Sequence, residues 1–130
     1  MMLKYLRYEY GSFLGQDQRM IEIRIKDGKL SRKMFRPEGY VFDQKEEWDS
    51  FCETTDYADY LNTLEQFNFR RWKKRYDSPI LDGYYWELEY RDSDGEKRQM
   101  SGNNSGPRCL DRFYKALTGS LDGETEKPGR

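Results

Sequence analysis

The chain has 130 residues, enough for one domain that buries its own core without a metal or disulfide staple. Its 23 basic and 24 acidic residues leave a net charge of −1, which excludes a generic electrostatic affinity for nucleic acid or anionic membrane across the whole molecule. Histidine is absent, which removes the usual general base near neutral pH and the commonest transition-metal ligand.

Leu3 to Tyr10, rich in Tyr and Leu, suits a first strand. From Met20 to Lys26 the chain alternates: Ile21, Ile23 and Ile25 face one way, while Glu22, Arg24 and Lys26 face the other. That is the period of a half-buried strand. Asp27-Gly28 then supplies a type I′ turn, whose two central residues both need positive φ. Lys29 to Arg36 returns as the partner strand until Pro37 stops it, so the first third reads as a three-stranded antiparallel meander.

Pro37 to Gln44 connects to a helix. Asp43 and Glu46 form a capping box, and Trp48, Phe51 and Cys52 follow at helical spacing. Thr54-Thr55-Asp56 interrupts it, with Thr55 or Asp56 in position to cap a second segment. There Tyr57, Tyr60, Leu61, Leu64 and Phe67 make an apolar stripe at i, i+3, i+4, i+7 and i+10. Asn68 to Tyr76 leads into Asp77-Ser78-Pro79, and Asp82-Gly83 opens the next strand. Across Tyr84 to Arg91, Trp86, Leu88 and Tyr90 oppose Tyr85, Glu87 and Glu89. Asp94-Gly95 turns the chain and Glu96 to Ser101 returns. After the loop Gly102 to Gly106, Pro107 sits at the first turn of a helix, where its missing N–H costs nothing. Leu110, Phe113, Tyr114, Leu117 and Leu121 give that helix its apolar face, closed by Gly119 or Gly123. The last residues, GETEKPGR, have no apolar anchor.

This predicts an α+β domain: an antiparallel sheet of about five strands in the order βββ-α-ββ-α, with two helices packed on one face. The expected domain spans 1–121, with a flexible tail over 122–130. Cys52 and Cys109 both fall on predicted helices and read as reduced thiols. With no apolar run of membrane-spanning length, and an N-terminus (MMLKYLRYEY) that is no signal peptide, the expected location is cytoplasmic, with no membrane partner.

Leu61 and Leu64, Trp72, Tyr76, Asp82-Gly83, Trp86 and Leu88, Gly102-Asn103-Asn104, Pro107 and Phe113 recur with a recognisable spacing. Over roughly residues 61–113 the chain resembles a family of small uncharacterised bacterial domains, mostly from Gram-positive lineages. Gly106 departs from the pattern, which favours an aromatic there. The family has no assigned activity, so the resemblance implies an α+β fold and no mechanism.

The sharpest local charge feature is Arg70, Arg71, Lys73, Lys74 and Arg75, interleaved with Trp72 and Tyr76. Guanidinium groups bind phosphate bidentately and aromatic rings stack on bases, so a nucleic-acid contact is one reading. The plainer reading anchors Trp72 and Tyr76 in the core while the cations reach outward. Gly102-Asn103-Asn104-Ser105-Gly106 offers backbone N–H groups to an anion, or equally just left-handed turn positions and a helix cap. Arg71, Trp72, Lys73, Tyr76, Asn103 and Asn104 are therefore the candidate binding residues.

No catalytic, metal-binding or cofactor residue stands out. Glu87 and Glu89 share a strand face and read as its solvated side. Asp92, Asp94 and Glu96 alternate like calcium ligands, but Lys97 and Asn103 occupy the places where such a loop needs Gly and Glu. The sequence points to a binding domain, with a protein partner or a second copy docking on an uncovered aromatic sheet face populated by Phe35, Tyr8, Tyr10, Tyr84 and Tyr85. The alternatives are a nucleic-acid accessory protein using 70–76, and an enzyme with a carboxylate or tyrosine site.

Overall fold

The computed structural model describes residues 2–12, 18–35, 48–78, 83–121 and 125–128, with backbone alone at 48–50 and 125–128. Eight strands form: β1 (Leu3–Ser12), β2 (Arg19–Lys26), β3 (Lys29–Phe35), β4 (Trp48–Thr54), β5 (Arg75–Asp77), β6 (Tyr84–Asp92), β7 (Lys97–Asn103) and β8 (Thr125–Pro128). With them come two helices, α1 (Ala58–Glu65) and α2 (Leu110–Leu117), and a 3-10 turn over Phe69–Arg71. All eight strands join one sheet in the order β5-β7-β6-β1-β2-β3-β4-β8. Its pairings are antiparallel except that of β5 with β7, which is parallel.

The five expected strands are β1, β2, β3, β6 and β7, and the first three make the expected meander. Asp27 (φ 54°) and Gly28 (φ 73°) are both left-handed, as a type I′ turn demands. The second hairpin turns differently. Asp92 N–H donates to the Glu96 carbonyl and Gly95 N–H to the Asp92 carbonyl, which makes Ser93-Asp94-Gly95 a three-residue loop. Gly95 holds the left-handed position in that loop, at φ 89°.

Three strands depart from expectation. Trp48–Thr54, expected as the end of a capped helix, is β4, paired along β3; Asp43 and Glu46 lie outside the described residues. The spacing of Trp48, Phe51 and Cys52 suits a helix, but the same segment also alternates, with Cys52 and Thr54 buried between half-buried Phe51 and Glu53. A run this short fits either period, and the unpaired edge of β3 decides in favour of the strand. Arg75–Asp77 adds β5 beside β7. Thr125–Pro128, inside the stretch expected as a tail, pairs with β4 as β8.

Both helices contact the sheet face that carries Leu6, Tyr8, Ile21, Ile23, Arg32, Trp86 and Leu88. Phe113 and Tyr114 of α2 meet Tyr8 ring to ring, and Tyr60 of α1 lies 5.7 Å from the Arg32 guanidinium. The opposite face is a charge ladder, which corrects the expected aromatic one. There Arg7 bridges Glu9 (2.8 Å) and Glu89 (3.1 Å), Lys97 reaches Glu89 at 3.6 Å, and Tyr5 lies between the guanidinium groups of Arg24 (4.8 Å) and Arg91 (4.6 Å). The alternation of a strand explains the change: Tyr8 and Tyr10 share a side with Leu6, and Tyr84 shares one with Trp86, while Tyr5, Tyr85, Phe35 and Phe51 fall on the side of the charges. Phe35 is buried. Among the described residues, no helix is long and apolar enough to cross a membrane.

Arg32 joins the layers. Only 4% exposed, it donates from Nη1 to the carbonyls of Leu117 (2.8 Å) and Gly119 (2.6 Å) at the end of α2. Its Nη2 lies 3.8 Å from Cys52 Sγ in β4. Tyr60 Oη donates to the same Leu117 carbonyl at 2.5 Å. Arg32→Ala strips the α2 terminus of this partner and leaves buried carbonyls short of donors. We expect a loss of about 3 kcal/mol, read from the urea midpoint at unchanged m.

Burial, the largest cause for each, raises the hydroxyls of Tyr5, Tyr60 and Tyr85 to about 12. Carboxylates add to this, Glu22 beside Tyr5 and Glu9 beside Tyr85, while Arg32 partly offsets it at Tyr60. The folded state therefore holds these protons more tightly than the unfolded chain, whose tyrosines ionise near pH 10. Their contribution is complete below about pH 10 and is lost as pH rises towards about 12. Urea midpoints measured at pH 9, 10 and 11 should fall, with tyrosinate absorbance lagging that of the unfolded chain.

Candidate functional site: a tyrosine-lined cleft

The basic segment 70–76 splits into a structural half and an exposed half. Arg70 is a clamp: its guanidinium lies 2.5 Å from Asp92 Oδ2 and 2.8 Å from Glu65 Oε2. Arg98 in turn donates to the carbonyls of Arg70 and Trp72. Trp72 is buried with its ring edge-on to Trp86 at 5.9 Å, and half-buried Tyr76 packs 5.8 Å from the same indole. Arg71, Lys73, Lys74 and Arg75 face solvent. Both rings of the segment thus pack on Trp86, and Tyr76 also has the Lys73 ammonium over its ring at 5.7 Å.

Asn103 and Asn104 hold the chain at the end of β7. Asn103, at the end of β7, accepts from Ser78 N–H on its carbonyl. Asn104 is left-handed at φ 56°; its N–H donates to the Tyr84 carbonyl and its Oδ1 accepts the Tyr84 N–H, both at 2.9 Å. The loop's backbone groups therefore position Tyr84. The helix also starts later than expected, at Leu110 after a turn from Pro107, and Ser105 gives its carbonyl to Trp86 Nε1 (2.8 Å) instead of capping. Asp92, Asp94 and Glu96 do bring one carboxylate oxygen each within 4.8 Å of the others. Arg70 holds Asp92, and Asp94 accepts the Glu96 N–H within the turn (3.2 Å).

Where β1, the start of β6 and the start of α2 meet, a cleft of about 540 Å³ opens to solvent. Tyr8 and Tyr10 of β1, Tyr84 of β6 and Tyr114 of α2 line it, and Pro107, Arg108 and Asp111 close its rim. The rings stand at angles: Tyr10 meets Tyr114 edge-on at 5.1 Å and 86°, and Tyr8 is tilted 45° against Tyr114 at 6.1 Å. Tyr8 forms the floor. It is 3% exposed, and its hydroxyl has no hydrogen-bond partner among the described residues. Burial pushes that hydroxyl far above the ordinary tyrosine range, with Tyr10 and Asp111 adding to the effect, so it is a proton donor at any physiological pH. Arg108 and Asp111 are exposed, and no ion pair joins either to another described residue.

Behind the cleft stands Trp86, fully buried, edge-on to Trp72 and pressed against Gly102. A Cβ on Gly102 would lie 2.2 Å from the Ser105 carbonyl oxygen and 2.5 Å from Trp86 Nε1.

Of the residues singled out from sequence, the structure brings none of Arg71, Trp72, Lys73, Tyr76, Asn103 or Asn104 into the cleft lining. The lining was hidden in the core stripes. Tyrosines that end a stripe such as Leu6-Tyr8-Tyr10 or Leu110-Phe113-Tyr114 mark where a core opens to water, because each carries a polar tip on an apolar body. No family model, curated protein or solved structure matches this chain.

Gly102→Ala tests the support. Overpacking against Trp86 and a backbone carbonyl should cost about 2–3 kcal/mol in chemical denaturation, with a shift of tryptophan emission. Gly28→Ala, which has no atom within 4 Å of its Cβ but a φ of 73°, should cost only about 1 kcal/mol.

Proposed function

We propose that this chain is a small cytoplasmic protein-binding domain that receives a segment of its partner in the tyrosine cleft. The observation that carries the reading is the cleft itself, of about 540 Å³, walled by the rings of Tyr8, Tyr10, Tyr84 and Tyr114 and rimmed by Arg108 and Asp111, two exposed charges of opposite sign. The cleft volume of about 540 Å³ lies within the ordinary range of ligand sites. Tyrosine and arginine are the residues most enriched where protein interfaces concentrate their binding energy.

One further feature agrees with this reading: neither Cys52 nor Cys109 is in a disulfide, which fits a reducing compartment. The resemblance to small bacterial α+β domains belongs to the same proposal, since its tryptophan and glycine positions build the wall behind the cleft.

Affinity capture from nuclease-treated lysate of the source organism should compare wild type, Tyr84→Ala/Arg108→Ala and Arg71→Glu/Lys73→Glu. The expected outcome is a partner retained by wild type and the charge-reversed protein but lost by the cleft variant. Capture that vanishes with nuclease, or with the reversal at Arg71 and Lys73, would instead assign function to the exposed cations.

A further inference from the structure

Independently of the cleft, we infer that β8 is a removable guard over the outer edge of β4, and that the edge beneath it is a self-association surface whose occupant is the β4 of a second copy. An open strand edge offers a row of unpaired N–H and C=O groups to any other strand, and proteins blunt it with short strands, charges, proline or a cover. At one end of the sheet β5 is three residues long, and its Arg75 and Asp77 are exposed. That edge is already blunt.

At the other end, the strand under β8 is β4, seven residues long, and it is not made like an edge. It carries the acids Asp49 and Glu53 but no lysine and no proline, and its register against β3 runs without a shift from Ser50 to Thr54. Trp48, Phe51 and Thr54 are of types that favour strands. The deterrents sit on β8 instead. It is four residues long, runs along β4 from Ser50 opposite Pro128 to Glu53 opposite Thr125, and includes Lys127 beside a proline that has no N–H to offer.

β8 is also built to come away. Glu, Lys and Pro are all depleted in strands, and from 122 to 130 the sequence holds no aliphatic or aromatic residue to anchor it. Its attachment therefore rests on main-chain pairing rather than on apolar burial, and such segments open locally at far lower cost than core strands. Once β8 lifts, a second copy related by a two-fold axis presents its own β4 antiparallel to the first, the same sense in which β8 pairs. One contact then covers both exposed edges. A strand from another protein would cover only one.

The test uses the full chain. In hydrogen exchange of the wild type, the amides of Thr125, Glu126 and Lys127 are expected to be about a hundredfold less protected than those of β1 and β6. Glu126→Pro/Lys127→Pro then releases β8: successive N–H groups of a strand point to opposite sides, so one of the two prolines removes a donor to β4. By light scattering the proline variant should double in mass as its concentration rises, with the β4 amides gaining protection in step. Wild type and Glu126→Ala/Lys127→Ala should stay single chains. A proline variant that remains a single chain, or that associates with its β4 amides unprotected, overturns the inference. So does wild type that self-associates to the same extent. Prolines that unfold the core, or wild-type β8 amides as protected as those of β1, overturn it too, since β8 would then be an integral strand.

Discussion

Arg32 carries a full charge into a place where, among the described residues, no carboxylate follows it. A buried guanidinium without a counter-ion is costly unless its donors are met; here carbonyls at the end of α2 meet Nη1 with the partial negative charge that a helix end concentrates, while Nε has no hydrogen-bond partner among the described residues. The same side chain touches Cys52 on β4 and lies against the ring of Tyr60 on α1. One residue of β3 thus holds a neighbouring strand and both helices, and it sets where the far end of α2 lies over the sheet. With that end pinned, the near end of α2 comes to rest beside β1 and β6, and the cleft forms in the gap.

The two sheet faces divide the work by chemistry. The helix side is aliphatic at β2 and aromatic at β1 and β6, and the aromatic part runs on past the helices into the cleft. The opposite side satisfies its charges laterally, strand to strand, through Arg7, Glu9, Glu89 and Lys97. Such exposed pairs contribute little individually, but their alternation pins the register, since a slip of one residue would turn the whole ladder into the core.

The proposed binding site lies where packing gives out. The tyrosines of the cleft serve the core with their rings and stand at its edge, so a single residue type packs the core and furnishes the polar lining of the proposed site. Segment 70–76, the most conspicuous stretch of charge, spends Arg70 on Glu65 and Asp92 and both its rings on Trp86. A charge run read along the chain says nothing about which members already have partners across the fold.

Local chemistry decided much of this protein from the sequence alone. Alternation at Ile21-Ile23-Ile25 and Trp86-Leu88-Tyr90, the left-handed pair Asp27-Gly28, and the stripes ending at Phe67 and Leu121 each depend on neighbours a few residues away. Their elements appear in those stretches, with both helices shorter than their stripes: α1 ends at Glu65, and α2 runs only from Leu110 to Leu117. Tertiary structure decided the rest. Trp48 to Thr54 suits two periods, and only the free edge of β3 selects the strand. Which way Tyr8 and Tyr10 point depends on the side to which Leu6 commits β1, and which cations stay exposed depends on acids distant in the chain. The cleft draws on residues from 8 to 114, and no window of sequence contains it; it exists because Arg32 and Trp86 hold its walls in place.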